Sequence, residues 1–199
     1  MKKLQKTEAK IMEKNKRLLE LCIARKRKVL PDALNLIEME LAVFGGLSWK
    51  SEFCRMGSPA AHKARLKDFH SLCKRACDLH AVKYRSVLFF FRDEPSRAGE
   101  WHGHFIIAAK GIETVSAAEL SATLQNVWTK EFNKGIAKIE PFEASRQLEG
   151  VCYVCKVSRN DRGNEFANFP VLSTALLNLI QEKRAAMEVK PLQEQSLID

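Results

Sequence analysis

The sequence predicts an α+β fold in which an antiparallel sheet carries helices mainly on one of its faces. Two strand-like segments are joined by a turn at residues 93–99. A connection this short joins antiparallel strands, because a parallel pair needs a crossover of roughly a dozen residues or more. The other strand-like segments alternate with segments of helical hydrophobic spacing, which completes the order β, α, β-hairpin, α, β, α.

The composition is that of a globular protein. The chain has 199 residues, of which 46% are hydrophobic and 29% charged, and this is enough for one domain with an appendage. It contains no apolar run of about 20 residues that could span a bilayer, and its basic N-terminal residues lack the apolar core and cleavage site typical of a signal peptide. Six cysteines are too sparse for a secreted disulfide framework. We therefore expect a reduced, cytoplasmic protein without a membrane partner.

The positive charge is concentrated at the N-terminus. Residues 1–30 carry eleven Lys or Arg against three Glu, out of a net charge of +9 for the chain. We interpret residues 1–30 as a basic helical arm, residues 31–187 as the folded domain and residues 188–199 as a polar tail. The arm could hold a polyanion through salt-sensitive phosphate contacts, or it could be a solvated helix.

The first elements are predicted from turn residues and periodicity. Pro31 suits the first turn of a short helix over residues 32–41. Gly45 and Gly46 interrupt that pattern, and residues 47–53 alternate as a half-buried strand does. Ser58 and Pro59 then open a helix that is expected to end near His80.

The hairpin and the elements after it follow. Residues 84–91 are the most strand-like run, and residues 101–109 form the second strand of the hairpin. Ser116 and Glu119 predict a capping box at the start of a helix over residues 115–132. The remaining predicted elements are a short strand and two helices, at residues 135–140, 143–157 and 171–187.

His102 and His104 are candidate metal ligands. Residues two apart on a strand project from the same face, roughly 6.6–7 Å apart along it. Two imidazoles placed in this way can converge on one divalent cation. The alternative is a pair of polar residues on a solvated strand face.

Tyr153 and Lys156 are the second candidate pair. On the predicted helix they are three residues apart and therefore share a face. The phenol could act as a nucleophile toward a phosphate and the ammonium could stabilise charge there. The alternative is an amphipathic helix on which the two side chains share a face without a common role.

These motifs, taken in order, resemble those of the HUH endonucleases, and in particular the initiators of rolling-circle replication. His102-Gly103-His104 resembles the second family motif, and Tyr153 with Lys156 resembles the third, with a single tyrosine. Residues 47–50 fall where the first motif is expected. The resemblance covers residues 47–156, and it implies an HUH-like nuclease domain.

The resemblance implies a metal-dependent nicking reaction on single-stranded or hairpin DNA at a replication origin. Tyr153 would attack the phosphodiester to give a 5′-phosphotyrosine and a free 3′-hydroxyl, with Lys156 beside the phosphate and Mg²⁺ or Mn²⁺ as cofactor. Glu94 is the favoured third metal ligand, because its strand pairs beside that of the histidines. Glu100 is the alternative, and Asp93 is a weaker one.

No phosphate-binding loop of the Gly-x-x-x-x-Gly-Lys-[Ser/Thr] type is present in the chain. Unwinding of duplex DNA would therefore come from a separate helicase.

Two other interpretations remain open. Cys152 and Cys155 could join the two histidines in a Cys₂His₂ zinc site, in a nucleic-acid-binding protein without nuclease activity. In the second, the chain is a single-strand binding module whose aromatic residues, Trp49, Phe89 and Phe91, stack on bases. Against the second, we expect the phenylalanine run to fill the core. Cys73 and Cys77 are expected to be core residues as well.

Overall fold

A computed structural model describes residues 40–50, 57–96, 98–110, 112–142 and 171–194. These residues form one five-stranded antiparallel sheet and three α-helices, and the α+β prediction is thereby confirmed. The predicted basic arm and the predicted helix over residues 143–157 lie outside the described residues. None of the described helices is both long enough and apolar enough to cross a bilayer.

The elements are numbered in chain order. The strands are β1 (Leu41–Ser48), β2 (Phe89–Pro95), β3 (Trp101–Ala108), β4 (Ala137–Pro141) and β5 (Val171–Leu172). The helices are α1 (Pro59–Leu79), α2 (Ala117–Asn126) and α3 (Thr174–Glu194). A 3₁₀ turn at Tyr84–Ser86 precedes β2, and a π-helical turn at Val127–Glu131 extends α2.

Strand β3 lies at the centre of the sheet. The spatial order is β4-β1-β3-β2-β5, and β1 to β4 follow the β-α-β-β-α-β connectivity of a split β-α-β fold. The β2–β3 hairpin is antiparallel as predicted, with Glu94 opposite His102 in its register. Its turn includes Gly99 at φ +82°, a conformation that glycine adopts without strain.

The two faces of the sheet carry separate hydrophobic clusters. Helices α1 and α2 cover one face, where Phe69 of α1 stacks on Phe91 of β2 with ring centroids 4.5 Å apart. Helix α3 packs on the other face, where Leu176 and Ile180 contact a smaller cluster around Phe90. Two of the three described helices therefore share a face, and part of the opposite face is left for the candidate site.

Capping residues define the ends of α1 and α2. The Ser58 side chain accepts a hydrogen bond from the Ala61 N–H and Pro59 occupies the first turn, so α1 begins where it was predicted. It ends at Leu79, next to the predicted end near His80. Ser116 and Glu119 form the predicted capping box of α2. These short-range signals were sufficient because each acts within one turn of its helix.

The prediction for the first strand was wrong in position. A helix was expected up to residue 41 and a strand over residues 47–53, whereas β1 runs from Leu41 to Ser48. Gly45 lies within this strand, and a glycine is required there because a Cβ would lie 2.2 Å from the Phe105 ring. The glycine makes room for a core aromatic side chain and does not mark a turn.

The predicted bounds of β2 and of the last helix also differ from the structure. The segment at residues 84–91 begins with a 3₁₀ turn, and β2 continues to Pro95. The polar residues near its end are buried and form ion pairs, Asp93 with Arg65 and Glu94 with Arg92. The turn begins at Ser96, whose side chain accepts hydrogen bonds from two backbone N–H groups. The last helix starts at Thr174 and not at residue 171, and it extends to Glu194.

Candidate metal centre

Glu94, His102 and His104 project from the same face of the central β2–β3 hairpin. Glu94 is directly opposite His102 across the hairpin, and His104 is two residues further along β3. The strand alternation that places the two histidines on one face also directs Glu94 toward them. Among the described residues, these three are the only group of three His, Cys, Asp or Glu side chains arranged to hold a metal ion.

The distances within this group suit a small cation. Glu94 Oε1 lies 3.6 Å from Nε2 of His102 and 3.6 Å from Nε2 of His104. One ligand atom from each residue lies within 4.8 Å of the other two. Ligand bonds of about 2.0–2.2 Å place neighbouring ligand atoms about 3–3.5 Å apart, so small side-chain movements would complete the coordination. Two nitrogens and one carboxylate oxygen would leave further positions for water or a substrate oxygen.

Glu94 is held in its ionised form although it is 6% exposed. Burial is the largest influence on its carboxyl group and by itself raises the pKa. Interactions with the His102 and His104 imidazoles and the charge of Arg92 outweigh burial, so the pKa is well below its ordinary value. Arg92 Nη2 lies 3.4 Å from Oε2, which leaves Oε1 directed toward the histidines.

The chain matches no known protein family, no curated protein and no solved structure. The basis for a functional proposal is therefore the metal-ligand geometry together with the sequence motifs.

Two residues of β1 shape the surroundings of His104. Phe44 stacks on the imidazole with ring centroids 6.3 Å apart and an interplanar angle of 19°. Gly46 is directly opposite His104. A Cβ at Gly46 would lie 3.8 Å from Nδ1 of His104, which is an ordinary van der Waals contact. Sequence reasoning missed Phe44 as part of the site because that residue was expected to precede the first strand.

The glycine between the two histidines has a packing role on the opposite face. A Cβ at Gly103 would lie 2.8 Å from the Phe91 ring and 3.0 Å from the Trp49 ring. These aromatic side chains fill the space that the missing side chain leaves. Gly103 thus allows β3, the strand that carries both histidines, to lie close to the core.

Behind Glu94, on the face that packs against α1, is a buried ionic cluster that sequence reasoning also missed. Asp93 is 1% exposed, and its Oδ2 accepts a hydrogen bond of 2.6 Å from Arg65 Nε. His62 Nδ1 lies 2.6 Å from Oδ1 of the same carboxylate. Consecutive residues on a strand face opposite sides, so Asp93 cannot join Glu94 as a ligand. That alternation was the available signal, but it required the correct bounds of β2.

The other predicted site residues are placed as follows. Glu100 is exposed and is not in the metal-ligand group. Tyr153 and Lys156 lie outside the described residues, and so do Cys152 and Cys155 of the alternative zinc site. The structure thus brings together the metal part of the predicted site.

The aromatic residues of the alternative base-stacking surface are in the core. Trp49, Phe89 and Phe91 are all buried, so they cannot stack on bases. Trp49 packs edge-on against Trp128 and donates a hydrogen bond from Nε1 to Asp68 Oδ2. The expectation that the phenylalanine run fills the core is confirmed.

The second tyrosine is poorly suited to act as a nucleophile. The Tyr84 hydroxyl is hydrogen-bonded to His70 Nδ1, and burial, assisted by Cys73 and Cys77, raises the pKa of the phenol far above its usual value. The phenolate is the reactive form, so this environment suppresses it. Cys73 and Cys77 are buried in the core cluster, as predicted.

Proposed function

We propose that this chain is a metal-dependent, site-specific single-stranded DNA endonuclease and strand transferase of the HUH type that initiates rolling-circle replication. The observation that carries the proposal is the grouping of Glu94, His102 and His104 on the two central hairpin strands. The reaction would leave the enzyme covalently attached to DNA through Tyr153. Duplex unwinding would be supplied by a separate helicase.

Three features support this proposal over a solvated histidine pair. The ligand strand is central in the sheet, so the histidines are held from both sides by β1 and β2. A buried carboxylate faces both imidazoles. The sequence motif that supplies the proposed nucleophile follows the metal motif in the order that the family resemblance implies.

The proposed chemistry is a transesterification at phosphorus. A bound divalent cation would polarise the scissile phosphodiester as a Lewis acid. The Tyr153 oxygen forms a bond to phosphorus, the bond from phosphorus to the 3′ oxygen breaks, and the phenol proton is lost to solvent. The departing 3′ oxygen takes up a proton and becomes a 3′-hydroxyl that can prime synthesis. Lys156 would stabilise the charge on the phosphate oxygens.

The ligand set bears on the choice of cation. Imidazole nitrogens suit transition metals better than Mg²⁺, which prefers oxygen ligands. Of the two cations expected from the resemblance, Mn²⁺ should therefore bind more tightly. A titration of each ion, monitored for Mn²⁺ by the loss of the free-ion electron paramagnetic resonance signal and for Mg²⁺ by competition, measures this order.

The decisive experiment is a search for the covalent adduct. A pool of single-stranded oligonucleotides of random sequence is labelled at the 3′ end and incubated with the protein and Mn²⁺. Because the protein would join the 5′ phosphate of the downstream fragment, the label should migrate with the protein after denaturation. The same pool labelled at the 5′ end should yield shortened strands that a polymerase can extend.

Matched variants identify the residues responsible. Tyr153→Phe should abolish the adduct without changing Mn²⁺ binding, whereas His102→Ala and His104→Ala should abolish both. Cys152→Ser with Cys155→Ser should leave both intact. The nickase proposal fails if the wild-type protein and Tyr153→Phe give the same absence of adduct. Stoichiometric zinc that is lost with the cysteines would favour the zinc-domain alternative.

A further inference from the structure

We propose that Arg65, on the opposite face of the sheet from the metal ligands, is a positioning residue for the metal centre. It would hold the turn end of the β2–β3 hairpin in the position that brings Glu94 to the histidines. This inference rests on the metal site of the proposed function, and it does not depend on the nicking reaction.

Beyond the ligands, β2 lacks a strand neighbour on its outer side. Strand β5 pairs only with Phe90 and Phe91, so within the described residues the end of β2 pairs with β3 alone. The hairpin itself is closed there, because the Ser96 N–H donates to the Glu100 carbonyl at 2.7 Å. The position of this end against the rest of the molecule must therefore be set by contacts other than a second neighbouring strand.

Arg65 contacts both strands at this end. It donates from Nε to Asp93 Oδ2 at 2.6 Å, and its guanidinium carbon lies 4.5 Å from the centroid of the Trp101 ring. Asp93 directly precedes Glu94, and Trp101 directly precedes His102. One side chain of α1 thus contacts the sequence neighbour of a ligand on each strand. We call Arg65, Asp93, His62 and Trp101 the Arg65 cluster.

The centre of the cluster is buried. Arg65 has 0% exposure and Asp93 has 1%, and both carboxylate oxygens of Asp93 have a partner in α1. His62 and Arg65 are three residues apart on α1, so they approach Asp93 from the same helix face. A planar guanidinium fixes direction better than an ammonium, because it can hydrogen-bond and stack on an aromatic ring at once.

Stability alone does not account for the buried charges. Removing two charges from water is costly, and apolar residues of similar volume are often as stable as a buried ion pair. What such residues lack is a directional bond to a particular carboxylate. The position of that bond, one residue from Glu94, favours a role in placing the ligand.

The test compares Mn²⁺ affinity in the full chain. Arg65→Met should weaken Mn²⁺ binding, by at most the roughly 10- to 100-fold that follows removal of a group bonded directly to a metal ligand, because Arg65 contacts the sequence neighbours of the ligands. Arg65→Lys should give a smaller loss. The matched control is Arg75→Met, which removes an exposed arginine of the same helix that is paired through Nε with Glu131 at 2.7 Å. The control should bind Mn²⁺ like the wild-type chain.

A second variant covers the case in which Arg65→Met leaves buried Asp93 with only His62 as a partner and unfolds the chain. Arg65→Met with Asp93→Leu removes both charges and should fold, yet it should still bind Mn²⁺ more weakly. The visible spectrum of bound Co²⁺ should also change, because it reports ligand geometry and not stability.

Wild-type affinity and spectrum in a folded variant would overturn the role of Arg65, and so would loss of the fold in every variant, which would assign the cluster to stability. Failure of the metal site itself is a different result, in which the wild-type chain binds no Mn²⁺.

Discussion

Glu94 and Glu100 lie on either side of the β2–β3 turn and differ in environment. Glu94 is buried beside both imidazoles, whereas Glu100 is exposed. Removal of a group that is bonded to a metal ligand weakens metal binding by roughly 10-fold or more. Glu94→Gln removes the charge of a candidate ligand itself, so it should weaken Mn²⁺ binding by more than roughly 10-fold. Glu100→Gln should leave it unchanged. Titration of both variants against the wild type measures the difference, and the opposite ranking would make Glu100 the ligand.

Gly45 and Gly46 form a second matched pair. A Cβ at Gly45 would lie 2.2 Å from the Phe105 ring, whereas at Gly46 the nearest atom would be 3.8 Å away. Gly45→Ala should lower the free energy of unfolding by about 1–3 kcal/mol, as overpacking of a core does. Gly46→Ala should be tolerated. Urea denaturation measures both, and equal stability of the two variants would contradict the packing explanation.

At the scale of the element, the residue that follows the C-cap of α1 has an unusual backbone conformation. Ala81 has φ +55°, and the Val82 N–H bonds to the Cys77 carbonyl, as in the helix-ending motif that favours glycine. Glycine at this position would remove the roughly 1–2 kcal/mol that the left-handed conformation costs alanine. Part of this gain is offset, because glycine loses more conformational entropy on folding than alanine does. Ala81→Gly should therefore stabilise the fold by about 0.5–1 kcal/mol. Thermal unfolding measures this, and a lower melting temperature would contradict it.

The elements that could be predicted from the sequence are those with local signals. The caps at Ser58 and Ser116 act within one turn of a helix, and the β2–β3 hairpin follows from a short connection. Strand β1 was misplaced because Gly45 is explained only by Phe105, a residue far away in the chain. Local periodicity in the sequence does not indicate contacts of this kind.

The same distinction applies to the candidate site. His102 and His104 are two apart on one strand, so their shared face follows from alternation alone. The position of Glu94 beside the histidines depends on the register of the hairpin. The predicted pairing of the two strands was enough to favour Glu94 as the third ligand. The contribution of Arg65 depends on how α1 packs across the sheet, and no spacing in the sequence indicates it.

At the scale of the whole molecule, the core should protect its thiols from reaction. Burial raises the pKa of Cys77 to about 11, helped by the nearby Asp78, and raises that of Cys73 as well. Because the folded pKa lies above the unfolded value of about 8.5, this contribution to stability is complete below about pH 8.5 and declines as the pH rises toward 11.

Both thiols should therefore alkylate only when the chain unfolds. Peptide-resolved mass spectrometry after treatment with iodoacetamide at about pH 8, with and without urea, measures this for each cysteine separately, since a free thiol is reactive there. Rapid labelling of Cys73 or Cys77 in the absence of urea would show that this part of the core opens readily.

The basic segment at residues 1–30 should act through charge. Its deletion should weaken binding to single-stranded DNA and flatten the salt dependence by roughly 0.7 per lost phosphate contact. Mn²⁺ binding should not change, because the candidate metal ligands lie elsewhere in the chain. Fluorescence anisotropy at several salt concentrations measures the slope, and an unchanged slope would exclude this segment from the DNA-binding surface.

The three candidate metal ligands come from one short stretch of chain, Glu94 to His104, whereas β1 and β4 join the sheet from distant positions. The entropy lost in closing so small a loop is modest, and local pairings of this kind form early in folding. An ion could therefore be captured by the hairpin before the sheet is complete. In that order of events, a cation bound at the candidate site would take part in assembling the sheet that surrounds it.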